Sequence, residues 1–141
     1  MRKSLAVSLP VALVFACVGC GRPSGTYPVS GKVLYRGEPA AGATVTFVRK
    51  GATDRMREQV PQGIVREDGT FSLASPLGNG ATPGEYAVLV EWKVGAGKVK
   101  GRSPGLNAPD RLNRRYLDPA RPLLNATVEA KTNALPPFEL Q

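Results

Sequence analysis

The chain has 141 residues, with 19 Lys and Arg against 11 Asp and Glu, no histidine, and a formal charge of +8. This length argues for one domain, and the lack of histidine excludes imidazole general bases, Ser-His-Asp and Cys-His nucleophile systems and His-ligated zinc. Two cysteines exclude a four-thiolate zinc site and a disulfide-rich scaffold, while 16 Gly, 13 Pro and 42% hydrophobic residues fit a turn-rich folded domain.

Met1-Arg2-Lys3 opens the chain as a short basic segment, and Leu5 to Val18 is apolar except for Ser8 and Pro10. The run falls short of the ~20 residues that span a bilayer and suits the apolar region of a secretory signal. It ends in Gly19-Cys20-Gly21, which resembles a bacterial lipobox, where the cysteine thiol receives diacylglycerol and becomes the mature N-terminus. Cys20 is the expected lipidation site. The competing site is Cys17, which itself occupies the upstream position where a lipobox usually carries Leu. An ordinary signal peptide with two incidental cysteines is the plainer alternative. The expected organisation is a signal peptide over 1–19, a lipidated tether over 20–26 and one domain over 27–141. Loss of Arg2 and Lys3 with the signal lowers the charge from +8 to +6. Gly21 stands where an Asp often retains lipoproteins at the inner membrane. The outer membrane is therefore favoured over the outer face of the inner one.

Beyond the tether, short apolar alternations are separated by turn residues. Val29, Gly31, Val33 and Tyr35 alternate with Ser30, Lys32 and Leu34, as in a half-buried strand. After Arg36-Gly37-Glu38-Pro39, the residues Ala43, Val45 and Phe47 repeat that pattern. Ile64-Val65-Arg66 leads to Asp68-Gly69, a hairpin signal before Thr70-Phe71-Ser72-Leu73. Tyr86, Val88, Val90 and Trp92 share one face of a strand, and Ala126–Lys131 and Pro137–Leu140 supply the last runs. No apolar period of 3.6 residues is sustained after Val18. The reading is an all-β, Greek-key antiparallel β-sandwich of about seven strands, with polar loops over Lys50–Pro61 and Lys93–Asp110.

These residues resemble the carboxypeptidase regulatory-like domain, the transthyretin-like (prealbumin-like) sandwich of bacterial surface lipoproteins. Val29-Ser30-Gly31-Lys32-Val33 is similar to its opening strand, and Gly37-Glu38-Pro39-Ala40-Ala41-Gly42-Ala43-Thr44-Val45 to its G-x-P-hydrophobic-x-G-A-x-V turn. Asp68-Gly69-Thr70-Phe71 resembles its D-G-x-F hairpin and Pro83-Gly84-Glu85-Tyr86 its P-G-x-Y entry. Arg115-Tyr116-Leu117-Asp118-Pro119 and Phe138-Glu139-Leu140 are similar to the C-terminal part of the lipoprotein subgroup. The resemblance spans Tyr27 to Leu140 and implies a transthyretin-like fold. It leaves function open, because its glycines and aromatics are scaffold features.

An enzyme of the same fold, hydroxyisourate hydrolase, relies on histidines and a Tyr-Arg-Gly-Ser-type ending that this chain lacks. The carboxylates Glu67, Asp68, Glu85, Glu91, Asp110 and Asp118 read as solvated turn and strand-face groups. No dense Asp loop for calcium is present. Gly95-Ala96-Gly97-Lys98 fails the phosphate-loop pattern, with Trp92 and Val99 at its required Gly and Ser/Thr positions. The remaining candidate is a basic cluster for anions: Lys98, Lys100 and Arg102, beside Lys93, and then Arg111, Arg114 and Arg115. A solvated basic surface is the plain alternative. Trp92 reads as core packing rather than a ligand platform. The expectation is a non-catalytic, lipid-anchored envelope protein without metal or cofactor. Its expected partners are the membrane through the lipid, and envelope proteins or anionic polysaccharide; nucleic acid is not among them. A glycan- or small-ligand-binding module using the basic loop is the first alternative, and a transthyretin-related hydrolase the weakest.

Overall fold

The computed structural model describes residues 25–52, 60–98 and 104–141. Cys17, Cys20 and the whole of the expected signal lie outside the described residues, as do Lys100 and Arg102. The chain is all-β. Its strands are β1 (Val29–Tyr35), β2 (Glu38–Pro39), β3 (Thr44–Arg49), β4 (Gln62–Ile64), β5 (Thr70–Ser72) and β6 (Ala74–Ser75). They continue with β7 (Gly78–Asn79), β8 (Gly84–Glu91), β9 (Leu124–Val128), β10 (Asn133–Ala134) and β11 (Phe138–Leu140). Seven of these have three or more residues; the other four are two-residue ladders.

One sheet has six strands in the order β7-β6-β4-β3-β8-β9, antiparallel throughout. β8 returns after an excursion through the other sheet to lie beside β3, with Val45 opposite Val90 and Phe47 opposite Val88. The second sheet is built on β1, which pairs antiparallel with β2 and β5 and parallel with β10 and β11. The parallel pairings come from a turn after β9. There Asn133 is buried, its Oδ1 accepting the Glu129 N–H at 2.9 Å while its amide donates to the carbonyls of Glu129 and Lys131. A buried amide must be satisfied in this way, and doing so closes the turn that sends the chain back along β1.

The alternation read from the sequence carries through to burial. Val29 and Val33 of β1, Val45 and Phe47 of β3, and Tyr86, Val88 and Val90 of β8 are all buried. Phe47 sits at the centre, its ring 5.7 Å from Tyr86 and 6.4 Å from Phe71, and Phe71 stacks on Phe138 at 6.2 Å. Burying such a side chain contributes roughly 2–3 kcal/mol each, which is how a sandwich of short strands holds together. Three details differ from the sequence reading, the first being that β9 covers Leu124–Val128 rather than the run from Ala126 to Lys131. The third run forms its strand two residues earlier, over Gln62–Ile64, with Gly63 and Val65 buried and Ile64 68% exposed. Asp68-Gly69 does make a tight turn, with the Gly69 N–H bonded to the Arg66 carbonyl, but its flanking strands join different sheets. β5 pairs with β1, because only that register lets Phe71 reach across Gly31, whose Cβ would lie 2.8 Å from the Phe71 ring.

Candidate functional site

The pairing order places two ends on the molecule. The chain enters at Tyr27, bridged to Ala81, and β1 then runs to Tyr35 at the other end. β8 also finishes there, so its last inward residue, Trp92, meets the Tyr35 ring edge-on at 5.7 Å and 70°. Trp92 is 7% exposed, and its Nε1–H donates to the Ala41 carbonyl at 2.9 Å. The indole therefore belongs to the packing of this end, as the sequence reading held.

Arg111 covers the indole. Its guanidinium carbon lies 3.7 Å from the centre of the Trp92 ring, and the Arg111 main-chain N–H donates to the Trp92 carbonyl at 2.7 Å. A planar guanidinium on the face of an indole is held by the ring quadrupole and keeps its edge donors directed away from the ring. Asp110 joins the same two segments. One carboxylate oxygen accepts the Trp92 N–H at 2.8 Å, and the other accepts the Arg114 N–H at 2.7 Å. The Lys93–Asp110 bridge closes the intervening loop at its base.

The remaining basic candidates spread from this centre. Asn113 and Arg114 both have positive φ, 50° and 60°, inside a turn closed by the Arg115 N–H on the Leu112 carbonyl. Arg114 lines an open groove of ≈ 530 Å³ with Glu91, Lys93, Leu106, Asp110 and Leu117. Arg115 turns the other way, its guanidinium 3.4 Å from the Gln141 main-chain oxygen and 5.9 Å from the Tyr116 ring. Lys98 is exposed at the end of the turn through Gly97. Arg111, Arg114 and Arg115 are thus gathered by one turn but serve different neighbours. Sequence reasoning passed over Arg36, whose guanidinium lies 5.2 Å from the Tyr35 ring.

The carboxylates are held elsewhere. Asp68 accepts both the hydroxyl and the N–H of Thr70, which keep its pKa below the ordinary 3.8. The Ala120 N–H lowers that of Asp118 in the same direction, with help from Arg121. Lys50 faces Glu85 at 4.0 Å and Lys93 faces Glu91 at 3.9 Å. Among the described residues no group of three or more His, Cys, Asp or Glu is placed to hold a metal ion. None of Arg36, Arg111, Arg114 or Arg115 is ion-paired with a carboxylate among the described residues. Comparison with family models, with curated proteins and with solved structures finds no match to this chain.

Proposed function

We propose that this chain is an exported, lipid-anchored and non-catalytic module of the cell envelope, a transthyretin-like sandwich that presents its Trp92 end to other molecules. One observation carries this reading: Asp68, Asp110, Asp118, Glu85 and Glu91 are engaged in bonds within turns and strands, whereas the guanidinium groups of Arg36, Arg111 and Arg114 are paired with no described carboxylate. Acid–base chemistry needs positioned carboxylates with protons to exchange, and binding of an external anion needs cations that the fold has not already neutralised. The G-x-P-x-x-G-A-x-V, D-G-x-F and P-G-x-Y resemblances fall at the turn into β3, the turn into β5 and the start of β8, which supports the family reading. The apolar run before Cys20, with only a short segment between Cys20 and β1, supports the anchor.

Mass spectrometry of the N-terminal peptide from the membrane fraction tests the anchor. A diacylglyceryl adduct on Cys20, together with release of Cys20→Ala into the soluble fraction, is the expected result. An unmodified Cys20 inside a mature chain overturns it.

A further inference from the structure

The chain enters the sandwich against a hairpin. Ser75 pairs with Gly78 across β6 and β7, its hydroxyl donating to the Gly78 carbonyl at 3.1 Å, and Pro76-Leu77 forms the tip. Tyr27 and Ala81 exchange both backbone bonds, at 2.9 and 3.0 Å, and a Cβ on Gly80 would stand 1.8 Å from the Tyr27 carbonyl oxygen. One residue earlier, the Thr26 hydroxyl oxygen lies 3.0 Å from the place of a Cβ on Gly78. The entering segment is thus laid along the hairpin, and Leu77 adjoins the point of contact.

Leu77 is 53% exposed, and Pro76 beside it is exposed as well. A single exposed leucine needs no explanation, but this one stands apart by position. Ile64, Val94, Leu106 and Leu123, the other exposed large apolar residues described, lie in the half of the sandwich towards Trp92. The surroundings of the hairpin are also uncharged. No charged residue occurs between Asp68 and Glu85 or between Arg22 and Lys32, in a chain that is 21% charged. The shallow groove of ≈ 340 Å³ beside the tip is lined by Val60, Gln62, Ala74, Ser75 and Pro76. The described cations of this end are answered within the fold: Lys50 faces Glu85, Lys131 faces Glu129, and Arg49 donates to the Thr82 hydroxyl.

Chain length supplies the occupant. Cys20 precedes Thr26 by six residues, a reach of about 20 Å fully extended and about 14 Å as a flexible coil. A lipid on Cys20 therefore holds the hairpin end at the bilayer, whereas β1 sets the Trp92 end about 20 Å further off. A tether this short keeps the tip at an effective concentration of order ~1 mM near the lipid. An apolar contact too weak to bring a free protein to a membrane then forms once the anchor has done so. An uncharged tip of proline and leucine suits that layer, because its carbon leaves water without desolvating a charge.

We propose that the Pro76-Leu77 tip enters the interface of the membrane carrying the anchor, so that the sandwich stands on its entry end and holds the Trp92 end outward. This rests on the reading of Cys20 as the anchor and adds the orientation of the anchored domain. The test uses acylated protein purified from the membrane fraction and reconstituted in phosphatidylcholine vesicles with or without brominated acyl chains. Leu77→Trp and Leu106→Trp are compared, both at exposed leucines and both carrying the buried Trp92 as a shared background. Bromination is expected to cause a loss of emission in Leu77→Trp that Leu106→Trp does not show. The loss should be the same in phosphatidylglycerol vesicles, since no free cation of this end is invoked. Amide exchange of the unaltered chain is the second measurement, and it decides alone if Leu77→Trp fails to fold. Exchange at Leu77 should be slower in the anchored protein than in Cys20→Ala mixed with the same vesicles. Equal quenching of the two tryptophan variants overturns the proposal, as does quenching confined to phosphatidylglycerol. Unchanged exchange at Leu77 also overturns it, because any quenching is then due to the indole's own affinity for lipid. An unmodified Cys20 in the mass spectrum removes the anchor and this inference together, whereas an acylated Cys20 with an unquenched Leu77→Trp removes this inference alone.

Discussion

Gly42 and Gly97 meet backbone to backbone. A Cβ on Gly42 would stand 2.3 Å from the Gly97 nitrogen, and one on Gly97 would stand 2.6 Å from the Ala41 carbonyl oxygen. Both residues have positive φ, 83° and 75°. This contact seats the loop after Trp92 on the turn before β3, and that turn supplies the carbonyl bonded by the indole. Gly42→Ala is therefore expected to cost about 2–4 kcal/mol, the left-handed penalty plus overpacking against backbone that cannot yield. Gly51→Ala, at φ 73° with nothing within 4 Å of the added Cβ, should cost only the left-handed term, about 1–2 kcal/mol. Urea unfolding of the pair checks this, and equal losses would refute the contact.

Asp110 is the second fastening of this end. Removing its carboxylate in Asp110→Ala leaves the Trp92 and Arg114 N–H groups without their acceptors, and a loss of about 2–3 kcal/mol is expected. Hydrogen exchange of these two amides should quicken more than exchange in β1. Unchanged protection at Trp92 would show that the carboxylate does not hold it.

The stacking of Arg111 on Trp92 has a spectroscopic consequence, since Trp92 is the only tryptophan. Arg111→Ala opens the ring to water, and its emission should move to longer wavelength with a stability loss of about 1 kcal/mol. Arg111→Lys should not restore the original spectrum, because an ammonium cannot lie flat on the indole. Full restoration by lysine would mean that charge, not the planar stack, matters.

Asp68 makes stability depend on pH at the turn before β5. Its carboxylate is held below the ordinary 3.8 by the Thr70 hydroxyl and N–H. A folded-state pKa below the unfolded value adds stability that is fully present above the unfolded value and lost as pH falls through the folded one. Acid unfolding should therefore steepen below about 3.8, and Thr70→Val should raise the Asp68 carboxyl titration measured by NMR towards its ordinary value. If Thr70→Val leaves that titration where it was, the hydrogen-bond cause is wrong.

Much of the scaffold was readable because strand burial follows a period of two. Alternation puts Val29, Gly31, Val33 and Tyr35 on one face, as it does Ala43, Val45 and Phe47, and Tyr86, Val88, Val90 and Trp92; all are buried except Gly31 and Tyr35, which are half-buried. The reading failed where pairing partners are remote in sequence. Asp68-Gly69 announces a turn in either case, but whether β5 joins β4 or β1 depends on Phe71 finding Gly31, about forty residues earlier. β10 escaped notice because two residues carry no alternation, and its existence depends on the side chain of Asn133 closing the preceding turn.

The candidate site divides in the same way. Sequence order alone shows that arginines at 111, 114 and 115 lie close together and that Lys93 begins a basic loop. Which of them stacks, which lines a groove and which reaches the C-terminal strand was decided by contacts across the sandwich. Arg36 enters the group only because β1 and β8 end together, bringing Tyr35 to Trp92. A chain can encode the alternation and the turns residue by residue, since these follow from local geometry. Which loop lies over which ring follows from the register of distant strands, and that is set by how the whole core closes.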